Sequence, residues 1–152
     1  MRKKRILLDL DVITVALWDA KGINFINRVK GGEFEVYTPH IMIELVSKWK
    51  NRSLSEKIIY FYELYTDKML TAVNIFDRIK KLEIDDKKII RELIEKGVKE
   101  EDAVLVLVAS IFDMDYLVTY NRKHLKNNEK EIMEVLSENG LKPIKIAGPE
   151  EA

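Results

Sequence analysis

Cysteine is missing from all 152 residues, which rules out a disulfide framework and any thiolate metal site. Long apolar runs are missing too. The longest spans about ten residues, from Ala103 to Phe112, against the roughly twenty needed to cross a bilayer. No excess of either charge exists: 26 basic side chains balance 26 acidic ones, so net charge implies no polyanionic partner. A local basic patch still suffices for phosphate contacts. The basic start, Met1 to Arg5, leads into apolar residues interrupted by Asp9 and Asp11, which is not the pattern of a signal peptide. The reading is one cytoplasmic domain, residues 1–152, large enough to bury a core and with no membrane association. Abundant Lys, Glu and Ile with no Gln resembles thermophile composition.

What is present is organised around Lys99 to Leu125. Glu101-Asp102 opens this stretch, an apolar run follows to Phe112, and Asp113-Met114-Asp115 breaks it. A second run, Tyr116 to Val118, ends in Thr119-Tyr120-Asn121. Periodicity leaves the first run open between a buried strand and a helix buried on all sides. Its length and the acids at its start favour a helix, with Tyr116–Thr119 as a strand.

Taken in order, Arg5–Leu8 reads as a central strand and Val12 to Trp18 as the start of a helix that Asp11 caps. A helix over Ile23–Val29 is closed by Gly31-Gly32, and Phe34–Tyr37 is a second strand. Thr38-Pro39 starts a helix reaching about Lys50, with Ile41, Leu45 and Trp49 as its apolar stripe and Ile43 and Val46 widening it. Ser53–Glu56 fits a capping box ahead of an aromatic helix through Tyr65. Those aromatics are read as core or subunit interface, and the apolar face predicts a homodimer. Residues 66–79 resist placement. Leu82–Ile84 reads as a short strand, and Lys87–Lys96 as a helix begun by Asp85-Asp86 and stopped by Gly97. Glu129–Glu138 is the last helix, Pro143–Ile146 the last strand, and the tail from Gly148 is expected to be ragged. Strands alternating with helices predict a three-layer α/β/α sandwich with a mainly parallel sheet.

Four polar positions stand out: Asp9 after the first strand, Glu44 inside a helix, Asp102 at a helix start and Asn121 after a strand. Strand ends and helix starts share the carboxyl edge of a parallel sheet, so Asp9, Asp102 and Asn121 can converge there. Three carboxylates within about 4 Å would repel by about 4 kcal/mol per pair at an effective dielectric of 20. Such a cluster holds protons or a cation, and an oxygen-only donor set suits Mg²⁺ or Mn²⁺.

These stretches together resemble the PIN domain, a family best known for metal-dependent RNA-cleaving nucleases. Ile6–Asp9 is similar to its first strand and acid, Ile43-Glu44-Leu45 to its helical glutamate, and Lys99–Ala103 to the helix start bearing a third acid. Asp115 to His124 is similar to its later strand and "TxD" or "TxN" ending. The resemblance implies hydrolysis of RNA phosphodiesters, with Asp9, Glu44 and Asp102 holding Mg²⁺ or Mn²⁺. It further implies Asn121 and Thr119 positioning ligand waters, Arg122, Lys123 and His124 touching the RNA, and an antitoxin as a possible partner. Many members carry Asp where this chain has Asn121, a neutral amide that adds no charge and is no general base. Asp11, Glu101 and Asp115 are nearby acids of second rank. His40, following Pro39, is read as a helix-start residue.

Two other readings stay open. Asp9-Leu10-Asp11 after an apolar strand suggests a haloacid dehalogenase-type phosphatase, but Ile13 stands where that family has Thr or Val, and Asp85-Asp86 matches its later acids poorly. A PIN-like module that binds RNA or protein without cleaving is favoured by Asn121.

Overall fold

Apolar side chains fill consecutive positions of the first strand, and a strand can bury both of its faces only if helices cover both. The computed structural model, which describes residues 2–152 apart from the side chain of Lys21, has this arrangement. The basic start's Met1 lies outside the described residues. Five strands, β1 (Lys4–Leu8), β2 (Phe34–Pro39), β3 (Lys68–Leu70), β4 (Tyr116–Val118) and β5 (Lys145–Ala147), form one sheet in the order β3-β2-β1-β4-β5. Every described pairing is parallel, with Leu7 opposite Tyr37 on one side and Leu117 on the other. Ile6, Leu7 and Leu8 are all buried.

The helices are α1 (Leu10–Ala16), α2 (Ala20–Lys30), α3 (His40–Ser47), α4 (Arg52–Tyr65), α5 (Ala72–Leu82), α6 (Asp86–Glu95), α7 (Glu100–Ile111) and α8 (Glu129–Glu138). A 3₁₀ turn covers Lys126–Asn128. The result is a three-layer α/β/α sandwich around one core cluster. Among the described residues, no helix is long and apolar enough to cross a membrane. The run from Ala103 is the helix α7, and nine of its twelve residues are buried.

Several local expectations are corrected. Asp9, not Asp11, caps α1, because its carboxylate accepts from the Leu10 N–H at 2.8 Å. Thr38 and Pro39 belong to β2, and Thr38 bonds Thr66 through its hydroxyl instead of capping α3. That helix ends at Ser47, short of Lys50, and buries Met42 and Val46. Ile41 and Leu45 are exposed, while Val46 is buried and Ile43 and Trp49 pack against the core, so only part of the expected stripe faces inward. Asn51 caps α4 in place of Ser53. Leu82–Ile84 is no strand: Glu83 ends α5 in a left-handed conformation at φ 54°. The unplaced segment contains β3 and most of α5, the latter opened by a Thr71–Asn74 capping box. The tail is ordered into a turn, with the Glu151 N–H donating to Gly148 O at 2.9 Å. Pro149 within it is buried.

Candidate active site

The carboxyl ends of β1 and β4 lie side by side, and the chain fixes them together. Asp9 N–H donates to Val118 O at 2.9 Å, so the residues leaving both strands start from one point. Asp9 leaves β1, while Thr119 and Asn121 leave β4. Asp102 arrives from the first turn of α7, where three successive acids face a helix N-terminus that favours negative charge.

Hydrogen bonds tie these groups into a network. The Thr119 hydroxyl donates to Asp9 Oδ2 at 2.9 Å and accepts from the Asn121 N–H at 2.9 Å. The Asn121 amide donates through Nδ2 to Asp102 Oδ2 at 3.0 Å. Its Oδ1 accepts from the His124 N–H at 3.0 Å, which fixes the orientation of the amide. Tyr62, fully buried beneath the strand end, donates its hydroxyl proton to Leu8 O at 3.1 Å.

The charges of the acids are unfavourable where they stand. Burial pushes the Asp9 carboxyl above the usual carboxylate range, and the nearby charge of Glu101 adds to this, against the hydrogen bonds from Thr119 and Leu10. Burial also raises Asp102, with Asp9 as the next cause, while His124 opposes the shift. Asp11 is raised to about 6 by burial and by the charge of Asp9. Asp9 and Asp102 thus repel across the same small space.

Both open onto a cleft of about 350 Å³ lined by Asp9, Glu100, Glu101 and Asp102, with Ile41, Met42 and Leu45 among its apolar walls. The exposure of Ile41 and Leu45 is explained by this cleft. Glu44 is not brought together with Asp9 and Asp102 as expected. It does not line the cleft, its side chain is 59% exposed, and its carboxylate lies 3.3 Å from His40 Nδ1. His40 therefore has a partner beyond its place at the helix start. Among the described residues, no three Asp, Glu or His side chains stand close enough to enclose an ion. Asp9 and Asp102 line the same cleft and repel each other, and a pair that offers only oxygen suits a hard cation that binds one or two carboxylates and keeps its waters.

The remaining positions sort clearly. Thr119 is buried with its hydroxyl committed to Asp9, and is not open to ligand waters as expected. Asp115 lies at the opposite end of β4, bonded by the Arg2 guanidinium at 2.9 and 3.0 Å and by the Arg5 N–H at 2.8 Å, which hold it below the usual carboxylate range despite burial. It takes no part in the site. Arg122 and Lys123 are exposed beside it, and Arg122 reaches Glu150 at 3.7 Å. The His124 ring faces Gly97 O at 3.4 Å. Sequence reading missed the pairing of Asp11 with the β4 exit: its oxygens lie 3.2 Å from Tyr120 N and 3.3 Å from Thr119 Oγ1. The available signal was the spacing, since a helix capped by Asp9 places Asp11 in its first turn, beside the strand ends.

No family model and no curated protein matches the sequence. A solved structure does: VapBC2 from Rickettsia felis bound to a DNA fragment from its promoter, with a TM-score of 0.59 and 14% identity, covering 95% of this chain and 98% of that one. At that identity the likeness is one of fold, and the chain has the PIN-like α/β/α fold that its sequence predicted.

Proposed function

We propose that this protein is a metal-dependent ribonuclease whose centre is the Asp9–Asp102 pair. The observation that carries the reading is a half-buried Asp9 and a buried Asp102, mutually repelling carboxylates that open on one cleft at the carboxyl edge of a parallel sheet. Asp9 and Asp102 would hold Mg²⁺ or Mn²⁺, and a cation bound there supplies an activated water and neutralises charge on the phosphate under attack. Thr119 holds Asp9, and Asn121 holds Asp102, so neither carboxylate needs to reorganise when it is engaged. Ile41 and Leu45 keep water from one wall of the cleft. Arg122, Lys123 and His124 follow Asn121 directly in the chain, and on this reading they would contact the RNA backbone. Glu44 would become a third ligand only by leaving His40.

The test is cleavage of single-stranded RNA with Mn²⁺, EDTA and Asp9→Asn as controls. Wild-type cleavage that needs Mn²⁺ and is lost in Asp9→Asn supports the reading. Equal background in both proteins would leave an RNA- or protein-binding module, the alternative that the position of Glu44 and the amide of Asn121 favour.

A protein partner belongs to the same reading. Leu17, Ile23, Tyr60 and Leu64 are exposed around an apolar groove between α1, α2 and α4. The likeness to an assembly named VapBC2 supports an antitoxin-type partner, for which this groove would be the seat, and the exposed apolar residues of α4 motivate the homodimer expectation. Sedimentation showing only monomer at micromolar concentration would remove the homodimer.

A further inference from the structure

The turn that leaves β4 carries both groups that hold the site acids, and it needs an anchor of its own. Strand pairing ends at Thr119, whose N–H donates to Ala147 O at 2.9 Å. The next amide, Tyr120 N–H, has no strand to bond. Its partner is the Asp11 carboxylate, with both oxygens at 3.2 Å. One of those oxygens also lies 3.3 Å from Thr119 Oγ1, the hydroxyl that reaches Asp9 Oδ2 at 2.9 Å.

A hydroxyl has one proton, and here it points toward two carboxylates while the oxygen accepts from Asn121 N–H. Rotation of Thr119 is therefore blocked on three sides. Asn121 is blocked as well, because its Oδ1 is held by the His124 N–H and its amide nitrogen must face Asp102. Asp11 sits behind this arrangement and does not line the cleft. It does not cap α1 either, since Asp9 does that. Placing a second carboxylate two residues from Asp9 is electrostatically costly, and the contacts that offset this cost are the ones to the turn.

We propose that Asp11 is a positioning residue: by clamping Tyr120 N–H and Thr119 Oγ1 it sets the turn from which Thr119 orients Asp9 and Asn121 orients Asp102. The role rests on the reading of Asp9 and Asp102 as the metal-holding pair, but the clamp itself is independent of any ion. Losing it moves both supports of the pair together, although Asp11 touches neither substrate nor cation.

The test uses Asp11→Ala, Asp11→Asn and Asp11→Glu in the full chain. ¹H–¹⁵N NMR of the metal-free protein follows the Tyr120 backbone amide and the Asn121 side-chain amide, and calorimetry gives the affinity for Mn²⁺. Asp11→Ala is expected to shift both sets of signals and to weaken Mn²⁺ binding about 10- to 100-fold, the usual effect of losing a group that orients a ligand. Asp11→Asn keeps an acceptor oxygen for Tyr120 N–H and is expected to restore binding to within about threefold. Asp11→Glu keeps the charge but overshoots the amide, so it should behave like Asp11→Ala, and it decides the matter if the alanine variant does not fold.

Unchanged Asn121 side-chain signals in Asp11→Ala or Asp11→Glu overturn the proposal. A merely structural role would lower the melting temperature and leave Mn²⁺ affinity of the folded protein unchanged, which also overturns it. Loss of Mn²⁺ binding in Asp11→Asn with Asn121 undisturbed makes Asp11 a direct ligand, a third contrary result. A wild-type protein that binds no Mn²⁺ defeats the nuclease reading instead, while the NMR comparison still decides the clamp.

Discussion

Three acids carry their charge at the end of β1 and β4 in surroundings that resist it, and this has a definite pH signature. Asp9, Asp11 and Asp102 are all raised in the folded protein, chiefly by burial. Between the unfolded and folded values the folded chain binds more protons, so stability falls as pH rises through that window. For Asp11 the window runs from 3.8 to about 6. Metal-free protein in EDTA should therefore resist urea better near pH 5 than at pH 7, and Asp11→Asn should flatten that slope. A stability that climbs over the same range would contradict the assignment. A second prediction concerns Tyr62. Its hydroxyl, fully buried, bonds the last carbonyl of β1 directly beneath the site. Tyr62→Phe leaves Leu8 O with one partner fewer and should cost about 1–2 kcal/mol in urea unfolding.

Among the elements, the least legible is the one with the best-defined start. Thr71 and Asn74 cap α5 reciprocally, at 3.1 and 3.2 Å. Thr71→Ala should lose about 1 kcal/mol, measured by thermal or denaturant unfolding. The sequence hid this helix because it has no fully buried residue, follows a three-residue strand, and ends at Glu83 in a left-handed turn without a glycine to mark it. By contrast, α8 spans Glu129–Glu138 as read from its pattern, with Asn139-Gly140 as the stop. The alternation of strands and helices was also enough to predict the parallel sheet. α3 shows why the site was only partly legible. Ile41 and Leu45, like Met42 and Val46, are apolar residues four apart, so spacing alone cannot say which pair faces the core. Choosing the wrong pair hid an apolar wall of the cleft. It also left nothing to show that Glu44 would turn to His40. Asp9, Asp102 and Asn121 were legible because strand ends and helix starts fix where they must lie. Asp11 was missed because it was read as the cap of α1; with Asp9 as the cap, Asp11 falls in the first turn of the helix, beside the strand ends.

For the molecule as a whole, balanced charge conceals a local arrangement at the tail. Glu150 reaches Arg122 at 3.7 Å, and Glu151 reaches Lys126 at 3.5 Å, so the turn after β5 lays two acids against cations that follow the site. On the ribonuclease reading, these acids compete with RNA phosphates. Glu150→Gln should tighten binding of a single-stranded RNA about two- to fivefold at low salt, the size of an exposed ion pair, with the difference vanishing at high salt. Equal affinities at low salt would show that Arg122 does not contact the RNA. The near-complete enclosure of α7 has a consequence of a different kind. Leu105, Val106, Leu107, Val108 and Ala109 are buried in succession, so their amide protons can reach deuterium only when the core opens. These positions should be the last in the chain to exchange. Because Asp102 rides on the same helix, the free energy that protects them also sets how rarely that acid strays from its place.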